Sequence, residues 1–243
     1  MISIFVREIK HFFDSTIGIM VVGVFLLITS LFLFVFPDTS ILLSPYVSLD
    51  VFFDLAPSLF LFLIPAITMR SIAEERQEGT LEVLLTQPIR PFDVIVGKLL
   101  ASWILVLLAL VPTVVYFITL YQLGDPRGNM DSGAILGSYL GLVLLSGAYC
   151  AIGVFASTIA DNQIVAYIFG TFLAFLFFYG FFYFSFLPIV VGQIDELIQM
   201  FGMDYHYRSI SQGVIDFRDV CYFFSTIIFF VFSGILMVER KKQ

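Results

Sequence analysis

Six long apolar runs divide the chain, at 17–36, 51–69, 94–120, 134–157, 164–191 and 220–238. An α-helix rises about 1.5 Å per residue, so about 20 mainly apolar residues cross the hydrocarbon core of a bilayer. Each run therefore predicts a transmembrane helix. The fourth is rich in small residues (Gly137, Ser138, Gly141, Ser146, Gly147, Ala148, Gly153). Small residues let backbones approach closely, so this helix is expected inside the bundle. Pro57 and Pro65 in the second run and Pro112 in the third predict kinks, with neighbouring helices covering the freed carbonyls. The first run has no small-residue cleavage site at its end and reads as a retained span.

The segments between the runs carry patterns of their own. Before the first run, Ile2, Phe5, Ile9, Phe12 and Phe13 recur at helical spacing, with Arg7, Glu8, Lys10 and Asp14 elsewhere on the wheel. This predicts an amphipathic helix in the membrane interface. Between the second and third runs lies RSIAEERQEGTLEVLLTQPIRPFDVIVGK. It starts as a charged continuation of the span and breaks at Gly79. Thr80 can then cap a short helix, with Glu82 favourable in its first turn. Leu81, Leu84 and Leu85 form one apolar face, and Pro88 stops the helix. Such a face needs either a partner or the membrane surface to cover it, and the residues alone leave both readings open. Between the fifth and sixth runs, Ile194, Leu197, Ile198 and Phe201 predict a second amphipathic helix, with Gly202 and Gly213 as helix stops.

Composition agrees with the pattern. Of 243 residues, 60% are hydrophobic and 13% charged, and the mean hydropathy is +1.01. That apolar surface exceeds what a soluble fold of this length hides from water. Charge then orients the spans. Arg7, Lys10, Arg70, Arg76, Arg90, Lys98, Arg240, Lys241 and Lys242 fall on one side, and Arg127, Arg208 and Arg218 on the other. The positive-inside rule puts the first side, with both termini, in the cytoplasm. The formal charge of −7 then sits on the outside and argues against a nucleic-acid partner.

Ionisable groups within the runs are few. Asp54 and Lys98 lie near span ends, where both are expected to snorkel to water. A midplane without carboxylate or histidine argues against an ion-driven carrier. No phosphate loop, nucleophile elbow or zinc-protease motif is present. His206 and His11 each lack a second ligand at metal spacing, and two cysteines, Cys150 and Cys221, suggest packing and no disulfide framework.

The stretch EERQEGTLEVLLTQP, 74–88, followed by Gly97–Lys98, resembles the signature of ABC-2 type permeases. FLIPAITMR (62–70), YQLGDPRGNMD (121–131), ADNQIVA (160–166) and SISQGVIDFRDVCY (209–222) are similar to the gliding-motility-associated permease of Bacteroidetes. The resemblance spans nearly the whole chain. It implies an all-α, polytopic fold with six transmembrane helices, an N-terminal interfacial helix and a short cytoplasmic coupling helix, forming one permease domain over 1–243. It implies a bacterial cytoplasmic-membrane location and a separate cytoplasmic ABC ATPase, which binds ATP and Mg, so that this chain needs no cofactor and is not itself an enzyme. Further implied partners are a second copy or paralogous permease and a larger membrane component, besides membrane lipid. The ATPase would dock on Glu74, Glu75, Arg76, Glu78, Gly79, Thr80, Leu81, Glu82, Leu84 and Leu85, with Asp161, Asn162 and Gln163 as a secondary contact. The alternative is a non-transporting anchor or mechanotransmission subunit of a motility or secretion machine.

Overall fold

The computed structural model describes residues 1–43, 48–80, 90–124, 130–187 and 195–242. Among these residues every regular element is helical. Helix α1 (Ile2–Asp14) precedes α2 (Thr16–Ser30), which continues through a π-helical turn, Leu31–Val35. Next come α3 (Asp50–Thr68) and α4 (Arg70–Gln77). Helix α5 (Pro91–Leu110) passes through a 3₁₀ turn, Val111–Thr113, into α6 (Val114–Leu123). Helix α7 (Ser132–Ile159) is followed by α8 (Gln163–Phe175), a second π turn (Leu176–Gly180) and α9 (Phe181–Ser185). The short helices α10 (Asp195–Gln199) and α11 (Met203–Ser211) lead to α12 (Phe217–Lys242).

Six of these stretches are long and apolar enough to cross a membrane: Gly18–Val35, Asp50–Gln77, Pro91–Leu123, Ser132–Ile159, Gln163–Ser185 and Phe217–Arg240. They coincide with the six apolar runs. The second extends furthest beyond its run, and the residues it adds, Ser71, Glu75 and Arg76, bond within the bundle.

The glycine-rich fourth span, α7, is the most buried of the six and packs on α3, α5, α8, α11 and α12. Its small residues explain that position. A Cβ on Gly153 would fall 2.0 Å from Thr68 Oγ1, so only glycine lets α7 cross α3 at this distance. Around it Phe52, Phe60, Leu142, Leu145 and Tyr149 fill the core.

The prolines act less uniformly than the sequence suggests. Helix α3 runs through Pro57 and Pro65 as one element. Pro112 sits at the first turn of the 3₁₀ segment, where a missing amide costs least. Thr113 and Tyr139 bond across that break, hydroxyl to hydroxyl at 3.2 Å and Tyr139 to the Thr113 carbonyl at 3.1 Å. At the opposite end of the bundle from α1, Gly202 caps α11 and Gly213 ends it at φ +83. The two glycine stops thus bound a helix of their own, Met203–Ser211, beyond the one that the 194–201 pattern predicts.

Candidate functional site

The end of the bundle carrying α1 and α4 concentrates the charged residues. Helix α1 lies against α5 and α2. Phe5, Ile9 and Phe12 turn partly inward, while Ile2 and Phe13 remain exposed. Glu8 also turns inward, not onto the polar face of the wheel.

Its partner is Lys98 on α5. Lys98 is only 2% exposed. Its Nζ donates to Glu8 Oε1 at 2.8 Å, to Glu75 Oε1 at 3.0 Å and to the Ser71 carbonyl. This overturns the expectation that Lys98 snorkels to water. An ammonium has three donors, and all three are filled inside the protein. Burying a lone charge costs several kcal/mol, so the arrangement holds only because two carboxylates and a carbonyl replace the lost water. Asp54 behaves as expected and is exposed.

The second element of the site is the break between α3 and α4. Met69 keeps helical dihedrals, φ −55 and ψ −32. The amides of Ile72 and Ala73 nevertheless bond outside their own helix, to Ser157 Oγ on α7, both at 2.9 Å. The same hydroxyl donates to the Met69 carbonyl at 3.2 Å. One oxygen thus fills its two acceptor positions and its one donor.

Arg76 forms the third link. Its Nη2 donates to the Thr158 carbonyl at 2.6 Å and its Nη1 to the Ile159 carbonyl at 3.1 Å and to the Ala160 carbonyl. The guanidinium therefore closes the C-terminal carbonyls of α7, where a cation also meets the negative end of the helix dipole. Asp161 Oδ1 lies 3.3 Å from it on a side chain 94% exposed. Asn162 Oδ1 accepts from the Val165 amide at 2.9 Å and so caps α8, whose first residue is Gln163.

The residues picked out in the 74–88 stretch therefore divide. Glu75 and Arg76 face the bundle. Glu74 is half-buried, 3.6 Å from His11. Glu78, Gly79 and Thr80 are exposed at the tip. Gly79 has φ +71, the left-handed conformation that ends α4 as the sequence suggests. Thr80 Oγ1 donates back to the Glu75 carbonyl at 3.2 Å. Leu81, Glu82, Leu84 and Leu85 lie outside the described residues. Sequence reasoning missed the Glu8–Lys98 pair. Its only sequence signal is a lysine within an otherwise uncharged apolar run.

At the other end, α11 builds a second polar cluster. His206 Nδ1 is 2.7 Å from Asp219 Oδ1 and Nε2 is 2.8 Å from the Met200 carbonyl. The imidazole stacks on Tyr222 with centroids 3.9 Å apart. No group of three or more potential metal ligands occurs among the described residues. Arg208 pairs with Asp204 at 2.9 Å, a hydrogen bond that raises the guanidinium pKa further, and lies over the Phe182 ring. Beside this pair is a cavity of about 370 Å³, lined by Phe178, Phe182, Gln199 and Tyr205 among others.

A bundle with six helices long and apolar enough to cross a membrane, and a first helix tied to a charged extension of the second span, is that of a multi-pass membrane protein. Residues 40–210 match the family model of the ABC-2 family transporter proteins, and the chain belongs to that family. It is a permease subunit of an ABC transporter, whose ATPase is a separate partner subunit. No curated protein matches the chain.

Proposed function

We propose that this chain is the membrane half of an ATP-driven exporter in a bacterial cytoplasmic membrane, with the α1 end and both termini in the cytoplasm. The ATPase docks on the stretch from Glu74 to Leu85, with 161–163 as a second contact. Two permease chains, identical or paralogous, flank one path, and the extracytoplasmic cluster around α11 covers its outer end. The resemblance of 62–70, 121–131, 160–166 and 209–222 supports a gliding-motility system with a larger membrane component.

One observation carries the coupling reading. Helix α4 follows span two across the break at Met69, bonded to α1 and α5 through Glu75 and Lys98 and to α7 through Ser157 and Arg76, with its tip exposed. A force on that tip is passed to those three helices through buried bonds, and to α3 through the chain itself. Docking then rests on Leu81, Leu84 and Leu85, each contributing at best about 1.5–3 kcal/mol before association costs.

The test is co-purification with the ATPase. Leu84→Asp and Leu85→Asp variants are expected to insert, fold and lose the ATPase. Gly79→Pro, which forces φ to about −65°, is expected to retain it but lose stimulation of turnover. Asp variants that insert and still bring down the ATPase at wild-type levels would overturn the assignment, and the loop would then lie on lipid.

A further inference from the structure

Both ring nitrogens of His206 face groups that accept hydrogen bonds and carry no proton of their own. Nδ1 lies 2.7 Å from Asp219 Oδ1, and Nε2 lies 2.8 Å from the Met200 carbonyl. A neutral imidazole has one N–H, so it serves one of these oxygens and turns a lone pair on the other. An imidazolium serves both. A proton on Asp219 would also fill the first bond, but it leaves the ring uncharged. The Tyr222 ring stacks on the imidazole at 3.9 Å, and an aromatic face attracts a cation.

Asp219 has the matching need. Both residues are buried. Asp219 Oδ2 has no hydrogen-bond partner, and among the described residues Asp219 forms no ion pair except with His206. A buried carboxylate without a cation is costly. The other ionisable groups at the ring are Tyr222, from α12, and Tyr205, its neighbour on α11, with centroids 5.4 Å away. The turn after α10 supplies only the Met200 carbonyl. Helix α7 and the π turn of span five also pack on α11 and bring no charged group into contact with the ring.

From this we propose that His206 is an imidazolium whose second proton closes a pH-sensitive tie between α12 and the turn joining α10 to α11. With the proton held, Asp219, the ring and Met200 form one bonded row. When the proton leaves, the Nδ1 lone pair faces Asp219 Oδ1 and the carboxylate is buried alone. His206 and Asp219 then separate, and the Met200 bond is kept. The sign follows: the tie stabilises the fold at lower pH and is lost as pH rises. Opening is confined to the α12 side, because α11 is held on α7 and α3 by the Ser138 and Tyr207 hydroxyls, bonded to the Ser211 and Phe53 carbonyls. Which compartment's pH the tie reads rests on the orientation proposed above, but the tie itself does not.

The chain has two histidines, so nitrogen-15 histidine labelling of the purified full chain gives two sets of ring signals, assigned with His11→Gln. Titrated upward from about pH 6, both His206 nitrogens should begin protonated, and Nδ1 should be the one bared. Asp219→Asn should show one bare nitrogen throughout, because its amide can donate to Nδ1 and keep the tie without the second proton. Between about pH 6 and 9, the apparent unfolding temperature should fall more steeply in wild type and His11→Gln than in Asp219→Asn or His206→Gln. A His206 ring with one bare nitrogen at the start of the titration would overturn the proposal. So would parallel thermal curves for wild type and Asp219→Asn. If His206→Gln does not fold, Asp219→Asn decides alone. A purely structural ring would lower the unfolding temperature of His206→Gln equally at every pH, and that result also refutes the tie.

Discussion

Lys98 Nζ and Glu8 Oε1 lie 2.8 Å apart although 90 positions separate them in the sequence. This contact fixes α1 to the bundle, and Glu75 completes it from α4. Removing one member of a buried ion pair commonly costs about 3–5 kcal/mol, because the partner charge is stranded. Lys98→Met should strand two carboxylates and lower the apparent unfolding temperature strongly. The double variant Lys98→Met/Glu75→Gln should recover part of the loss, since one stranded charge is gone. Thermal unfolding of the purified variants measures both. Equal stability of Lys98→Met and wild type would mean the ammonium contributes nothing net.

Ser157 makes a separate prediction. Ser157→Ala leaves the amides of Ile72 and Ala73 buried without an acceptor, at about 1–3 kcal/mol for each unsatisfied group. Hydrogen exchange at those two amides should accelerate well beyond that of neighbouring α3 positions. Unchanged exchange would show that another acceptor replaces the hydroxyl.

The α3–α7 crossing can be probed sterically. Gly153→Ala sets a methyl 2.0 Å from Thr68 Oγ1 and 2.9 Å from its Cβ. Overpacking of this kind typically costs about 1–3 kcal/mol. Thr68→Gly removes every clashing atom, so Gly153→Ala/Thr68→Gly should be less destabilised than the sum of the two single changes. Strict additivity in unfolding measurements would remove the contact as the cause.

Alkaline pH tests α11. The Tyr207 hydroxyl donates to the Phe53 carbonyl at 2.8 Å, and burial pushes its pKa well above the ordinary phenol range. The neutral phenol is thus favoured in the folded state. Its contribution is whole below about pH 10, the unfolded value, and is lost as pH rises further. Wild type should lose stability between about pH 10 and 11.5 more steeply than Tyr207→Phe. Parallel curves would show that this phenol is not protected.

The spans were legible because each is a long apolar run, and the interior place of α7 followed from its glycines. What escaped was pairing at a distance. Nothing local marks Glu8 as a partner of Lys98, or Arg76 as the closure for α7, because both depend on how helices cross. Helix α11 was missed for another reason. Met203, Tyr207 and Ile210 recur at helical spacing, but Asp204, His206 and Arg208 interleave with them. The segment is amphipathic on a scale of two turns, too short to stand out beside 20-residue apolar runs. The polar members then find each other or α12: Asp204 with Arg208, and His206 with Asp219.

The two π turns, Leu31–Val35 and Leu176–Gly180, fall in the first and fifth spans, which are both largely exposed on the outside of the bundle. Each wide turn loosens the regular i to i−4 ladder at that level. The buried α7 has no such turn along its 28 residues. Spans one and five therefore each carry, on the lipid-facing side of the bundle, one level at which the helix departs from regular pitch, while the central span keeps a single pitch from end to end.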